Sequence, residues 1–231
     1  MGSVGNIEIL GKTMLEWVSL SLCDMPFVCI DNNDELALPE LIRDYLDMQK
    51  EYTVVLYSDT PLITRKTVGE AVETARLNNL NVMRMTRGFV FKTDYIATAE
   101  KIYTDKTYYF DEDDFVTAYS FKQVSFIADV LKGRILTYHM NRGVQFEDSA
   151  STFIGCEVSI GANVIIGPNN NIVGKTVIKD NARIKRGNSI EDCIIDEGAE
   201  IESSKLVHSF VGKNTTVGPF ANLRKNNVIG D

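Results

Sequence analysis

The sequence predicts an α/β chain: a mixed-sheet domain over residues 1–143, followed by a left-handed parallel β-helix of six-residue repeats over residues 144–231. Three observations carry this prediction. A β-branched and aromatic run, Tyr52-Thr-Val-Val-Leu-Tyr57, is bounded by polar residues, as a strand is. It is followed, after a turn containing Pro61, by an apolar pattern of helical period. Through the last third of the chain an aliphatic residue then recurs at every sixth position.

In the first domain, the run at Tyr52–Tyr57 reads as a buried parallel strand. It passes into Ser58-Asp59-Thr60-Pro61-Leu62-Ile63, and Thr64 precedes a helical pattern through Val68, Val72, Ala75 and Leu77. Ligands of open α/β sheets collect beyond the carboxyl ends of strands, which puts Asp59 in a favoured place for a metal-binding carboxylate. An aspartate that simply closes a Pro-containing turn gives the same local sequence. The acidic run Asp111-Glu-Asp-Asp114 predicts a solvated helix start. Trp17, Phe89, Phe91, Phe121 and Phe126 are expected in the core.

The repeats are the strongest feature. Ile154, Ile160, Ile166, Ile172, Ile178, Ile184 and Ile190 fall six apart. The phase then slips by one, continues at Ile195, Ile201 and Val207, and resets at Val211, Val217, Leu223 and Ile229. A six-residue period fits neither a helix nor an alternating strand. It fits a triangular coil whose sides are short strands with the aliphatic residue inward, stacked by parallel backbone pairing. Asn163, Asn169, Asn170, Asn171, Asn181 and Asn214 suit the corners, because asparagine tolerates left-handed backbone angles. His208 is expected at a corner as a surface side chain.

Composition narrows the partners. The 231 residues are 44% hydrophobic, enough for a buried core, and carry a net charge of −8 with no basic run to follow a phosphate backbone. Nucleic acid is therefore not an expected partner. Neither is a membrane, because no apolar run approaches the roughly 20 residues of a span. The start, Met-Gly-Ser-Val-Gly-Asn, lacks the pattern of a signal peptide, so a cytoplasmic protein is expected. Cys23, Cys29, Cys156 and Cys193 have no CxxC spacing, and only His139 and His208 are available for histidine chemistry.

The repeats resemble the hexapeptide-repeat proteins, which include many acyltransferases and the tail domains of several sugar nucleotidyltransferases. That resemblance implies a homotrimer, in which three prisms cover one another's flat faces with closed symmetry. Four segments, in order, resemble the sugar-1-phosphate nucleotidyltransferase family, and within it the bifunctional N-acetylglucosamine-1-phosphate uridylyltransferase/glucosamine-1-phosphate acetyltransferases. They are Gly11-Lys-Thr-Met-Leu-Glu-Trp-Val18, Val54-Val-Leu-Tyr-Ser-Asp-Thr-Pro-Leu-Ile63, Arg142-Gly-Val144 and Val217-Gly-Pro-Phe-Ala-Asn-Leu-Arg224. The resemblance implies a reduced, nucleotidyltransferase-like (Rossmann-like) sheet domain, with Asp59 as a ligand of Mg2+ and Arg224 as a sugar-phosphate contact. Where the family has its second metal ligand, this sequence reads Thr86-Arg87-Gly88. Where it has its base-recognition segment, the sequence reads Asn32-Asn-Asp-Glu-Leu-Ala-Leu38. The family's glycine-rich triphosphate loop has no counterpart in the residues before Gly11.

The expectation is therefore a protein related to UDP-N-acetylglucosamine pyrophosphorylase. It binds a sugar phosphate or sugar nucleotide and has little or no uridylyltransferase activity. Two alternatives stay open: an active nucleotidyltransferase with an unconventional site, and a hexapeptide acyltransferase with its site between subunits. The absence of a histidine from the central coils weighs against the second.

Overall fold

The structure, a computed structural model, describes residues 7–31 and 36–230. The segment Asn32-Asn33-Asp34-Glu35, the glycines Gly2 and Gly5, and Asp231 lie outside the described residues. The chain divides into two compact units, Met1–Ile127 and Ala128–Asp231.

The first unit opens with a hairpin of β1 (Glu8–Ile9) and β2 (Lys12–Thr13), leading into helix α1 (Met14–Ser21). Thr13 caps α1: the Glu16 N–H donates to its Oγ1 at 3.2 Å, and the Glu16 carboxylate accepts from the Thr13 N–H at 2.7 Å. This reciprocal pair satisfies two donors that the helix start would otherwise leave open. Helix α2 (Leu38–Ile42) comes next, then β3 (Tyr52–Leu56), α3 (Arg65–Leu77), β4 (Val82–Met85), β5 (Gly88–Lys92), α4 (Thr93–Thr98) and β6 (Lys106–Thr107). The sheet order is β3-β5-β4-β6, with β5 antiparallel to both its neighbours and β4 parallel to β6. The sheet is mixed, as expected, but β3 is not the buried parallel strand that its composition predicted. It pairs only with β5 and is half-buried along its length. Its β-branched residues pack one face on α3 and leave the other partly covered.

Thr64 caps α3, whose buried face is Thr67, Val68, Ala71 and Ala75. Leu77, expected on that face, is 76% exposed on the last turn. The acidic run is also not wholly solvated. Asp114 is buried and accepts from the hydroxyls of Thr64, at 3.1 Å, and of Thr67 in a short contact. It fixes the start of α3 from outside.

Helix α5 (Phe121–Met140) carries the chain into the second unit. Its buried stripe is Ile127, Leu131 and Leu136, and Phe121 and Phe126 fall off it. Both were expected in the core; Phe121 is 94% exposed. Leu136 and Ile135 join the core of the β-helix.

That β-helix is left-handed and makes about five turns. Its three parallel sheets have five strands each. The first stacks Gln145–Phe146, Ile165–Ile166, Arg183–Ile184, Glu200–Ile201 and Thr216–Val217. The second stacks Phe153–Ile154, Asn171–Val173, Ser189–Glu191, Lys205–Val207 and Asn222–Leu223. The third stacks Ser159–Ile160, Val177–Ile178, Ile194–Ile195, Phe210–Val211 and Val228–Ile229. The second residue of nearly every side points inward, and Ile166, Ile172, Ile184, Ile190 and Ile201 are fully buried. Before the phase resets at Val211 the inward residue is Leu206, opposite Ile190 and fully buried, and not Val207. A corner shortened by one residue at Ser203 brings Leu206 into register a step earlier than the six-residue count expects.

Asn163, Asn169, Asn181 and Asn214 do turn corners, with φ between 54° and 61°. Asn171 starts a strand instead. Asn170 lies inside the corner, 1% exposed, in a stack with Thr152, Asn188 and Ser204.

Candidate functional site

In the first unit, titratable and aromatic side chains converge where β3 ends. The loop after β3 is held from beneath. Thr60, Pro61, Leu62 and Ile63 are buried, the Thr60 hydroxyl donates to the Tyr57 carbonyl at 3.0 Å, and the Ile63 N–H donates to the Thr60 carbonyl at 3.1 Å. Tyr57, Ser58 and Asp59 are therefore displayed on a fixed turn.

The turn between β4 and β5 approaches from the side. Met85 pairs with Gly88, so Thr86 and Arg87 form its tip, and Gly88 also pairs with Leu56, the last residue of β3. Gly88 has φ +142°, and a Cβ there would lie 2.5 Å from the Val55 carbonyl oxygen. Only glycine admits that approach. This register sets Arg87 beside the residues that follow β3.

The consequence is a closed cluster. The Arg87 Nη2 donates to Asp59 Oδ2 in a short ion pair. The Tyr119 hydroxyl donates to the same oxygen at 3.3 Å. The Arg87 guanidinium lies over the Tyr57 ring, 4.9 Å from its centroid, close enough for a cation–π attraction. The Asp59 side chain is only 14% exposed. Among the described residues, Asp59 Oδ1 and Arg87 Nε are buried without a hydrogen-bond partner.

Magnesium prefers near-octahedral oxygen ligation, commonly one or two carboxylates with waters completing the shell. These residues do not fit it. One carboxylate oxygen is already taken by two donors, and the guanidinium sits where the second charge of a site would be. A divalent ion about 4 Å from a fixed positive charge is repelled by on the order of 8 kcal/mol at an effective dielectric of about 20. Among the described residues, no three His, Cys, Asp or Glu side chains are grouped to hold a metal.

The other predicted site residue, Arg224, lies in the second unit, exposed at a corner of the β-helix. Its carbonyl accepts from the Ser209 hydroxyl at 2.9 Å and from the Asn227 side-chain amide at 2.7 Å, which fixes its backbone. His208 is an exposed corner residue with φ 45°, its Nε2 3.5 Å from Asp192 Oδ2. No sequence signal pointed to Tyr119, which meets Asp59 across 60 residues of chain. Arg87 was indicated by its place in the Thr86-Arg87-Gly88 turn.

No protein-family model matches the chain. It is similar to the bifunctional protein GlmU of Clostridium novyi (strain NT), 42% identical over 109 residues, which is 47% of this chain and 24% of that protein. The bifunctional protein GlmU of Clostridium botulinum (strain Eklund 17B / Type B) is 40% identical over 114 residues, 49% of this chain and 25% of the relative. That of Alkaliphilus oremlandii (strain OhILAs) is 35% identical over 119 residues, 52% and 26% respectively. About half of this chain is thus homologous to GlmU proteins, and the match spans about a quarter of their length. No helix among the described residues is long and apolar enough to cross a membrane.

Proposed function

We propose that this GlmU-related chain is a cytoplasmic homotrimer that binds a sugar phosphate or sugar nucleotide and has little or no uridylyltransferase activity. The observation that carries this is the ion pair of Asp59 with Arg87. Nucleotidyl transfer depends on cations placed to neutralise the charge that builds on the leaving pyrophosphate. A carboxylate tied to a guanidinium and a tyrosine hydroxyl is a poor anchor for such a cation, and magnesium has no part in the function proposed. The sugar-phosphate ligand is supported by the relationship to GlmU proteins and by Arg224, whose exposed guanidinium suits a phosphate.

The trimer is supported by the outer faces of the β-helix. In the third sheet, Val177, Ile194, Phe210 and Val228 stack in register on the outside. Ile194 is 43% and Val228 69% exposed. The matching outward positions of the first sheet include Arg183 and Glu200, and those of the second include Ser189 and Lys205. An apolar stripe on one face of three gives a second copy a defined place to pack, and a rotation that closes yields a ring.

The catalytic part is tested by pyrophosphate release from UTP and N-acetylglucosamine-1-phosphate with magnesium, beside an Asp59→Ala variant. The expected result is no turnover above that variant, with sugar phosphate binding in calorimetry weakened by Arg224→Ala. Robust turnover abolished by Asp59→Ala would restore the active nucleotidyltransferase.

A further inference from the structure

We infer that Arg87 is a built-in cation that occupies the position a divalent metal would need at Asp59, so that the end of β3 is metal-free by construction. The inference rests on Asp59 being the centre of the proposed site, but it concerns cation binding alone.

Arg87 is not an arbitrary surface arginine that happens to reach an acid. Its backbone is fixed at the tip of a two-residue turn, and the glycine after it is wedged against the Val55 carbonyl. Its guanidinium is held from two directions, by the Asp59 carboxylate and by the face of the Tyr57 ring. Tyr119 donates to the oxygen that accepts from Arg87, which holds the carboxylate in the orientation that suits the guanidinium. The other carboxylate oxygen is buried, so no hydrated ion reaches it from solvent. A planar guanidinium is always charged and pairs with carboxylates through directed hydrogen bonds. A metal must therefore displace a partner that never loses its charge.

The test is a titration of the full chain with Mn2+, a paramagnetic stand-in for magnesium, read by the electron paramagnetic resonance of the free ion and without nucleotide. The wild type is compared with Asp59→Ala, Arg87→Ala, Arg87→Gln and the double variant Asp59→Ala/Arg87→Ala. Arg87→Gln removes the charge but keeps a polar side chain as far as Cδ, should Arg87→Ala fold poorly. The wild type is expected to show no binding that depends on Asp59. Removing the charge is expected to create an Asp59-dependent site at least tenfold tighter than any residual Mn2+ binding of the wild type, which the double variant loses. Wild-type binding abolished by Asp59→Ala overturns the inference. So does a failure of both Arg87 variants to gain a site, because Arg87 is then not what excludes the ion. Turnover in the pyrophosphate assay without Mn2+ binding would refute the proposed function and leave this inference standing.

Discussion

Replacing Asn170 by alanine should be among the most damaging single changes in the β-helix, and replacing its neighbour Asn169 by glycine among the mildest. The Asn170 Nδ2 donates to the carbonyls of Gly167 at 2.8 Å and Lys185 at 2.7 Å. Its Oδ1 accepts from the backbone N–H of Asn188 at 2.9 Å and from the Asn188 side-chain amide at 2.9 Å. Truncation leaves the buried Asn188 N–H without an acceptor, a cost of about 1–3 kcal/mol. The two carbonyls keep other donors, Thr152 Oγ1 and Asn188 Nδ2, so each loses only the net worth of one hydrogen bond, about 1 kcal/mol. The sum is about 3–5 kcal/mol, a large fraction of a domain's stability. Asn169 has φ 57° and is exposed, and its backbone N–H bond to Ser151 Oγ survives in glycine. Asn169→Gly should therefore change stability by less than about 0.5 kcal/mol. Equilibrium unfolding in urea, followed by circular dichroism at one fixed protein concentration, measures both. A loss below about 1 kcal/mol for Asn170→Ala, or equal losses for the two variants, would refute the assignment of Asn170 to an internal ladder.

Two further outcomes are expected. Ile194→Glu places a charge in the middle of the apolar stripe on the third sheet and should convert the proposed trimer to monomer in light scattering, whereas Lys205→Glu on the second sheet should not; an Ile194→Glu variant that stays trimeric removes that stripe from the interface. His139 is 3% exposed, and burial, with a smaller contribution from Arg142, lowers its pKa below 6.5. The unfolded chain then binds the proton more readily than the folded one, so stability is full above about pH 6.5 and is lost as the pH falls from there toward the folded pKa. Its Nδ1 has no partner among the described residues, and Tyr138 packs edge-on beside it. His139→Gln should flatten this part of the stability–pH curve, and an unchanged slope in urea unfolding between pH 5 and 7 would assign it to other groups.

The inward aliphatic positions were legible because a coil side has room for one residue type there, and the type repeats. The slip was legible too, but not its resolution. Leu206 and Val207 are adjacent and both apolar, and only the strand register chooses between them. Asn169-Asn170-Asn171 illustrates a different limit, because one residue type serves three ends in succession: a left-handed corner, an internal ladder and a strand start. Whether β3 runs parallel or antiparallel depends on β5, a partner that its own composition does not specify. At the candidate site, Asp59 and Arg87 could be singled out from the residues around them. That they neutralise each other follows from Gly88, whose lack of a side chain brings the turn against β3.

The β-helix interior also decides what its buried cysteine does. Each corner repeats once per coil, so a side chain there meets only the equivalent side chains above and below. One row is apolar, with Val164, Ala182 and Ala199 fully buried. Another is Thr152, Asn170, Asn188 and Ser204. The third is Thr176, Cys193 and Ser209, and in it the thiol is a ladder member: Cys193 Sγ donates to the Glu191 carbonyl at 3.1 Å and accepts from the Ser209 N–H at 3.4 Å, while the Cys193 N–H donates to Thr176 Oγ1 at 3.3 Å. Burial pushes the thiol pKa above its ordinary value, which keeps it protonated and unreactive. A nucleophile needs the opposite environment, exposed and cationic. Cys193 is thus a structural substitute for the hydroxyl that Thr176 and Ser209 supply in the same row. The chemistry available to ligands or partner chains on the β-helix lies in its outward side chains and exposed corners, which is where Arg224 and the Val177–Val228 stripe are found.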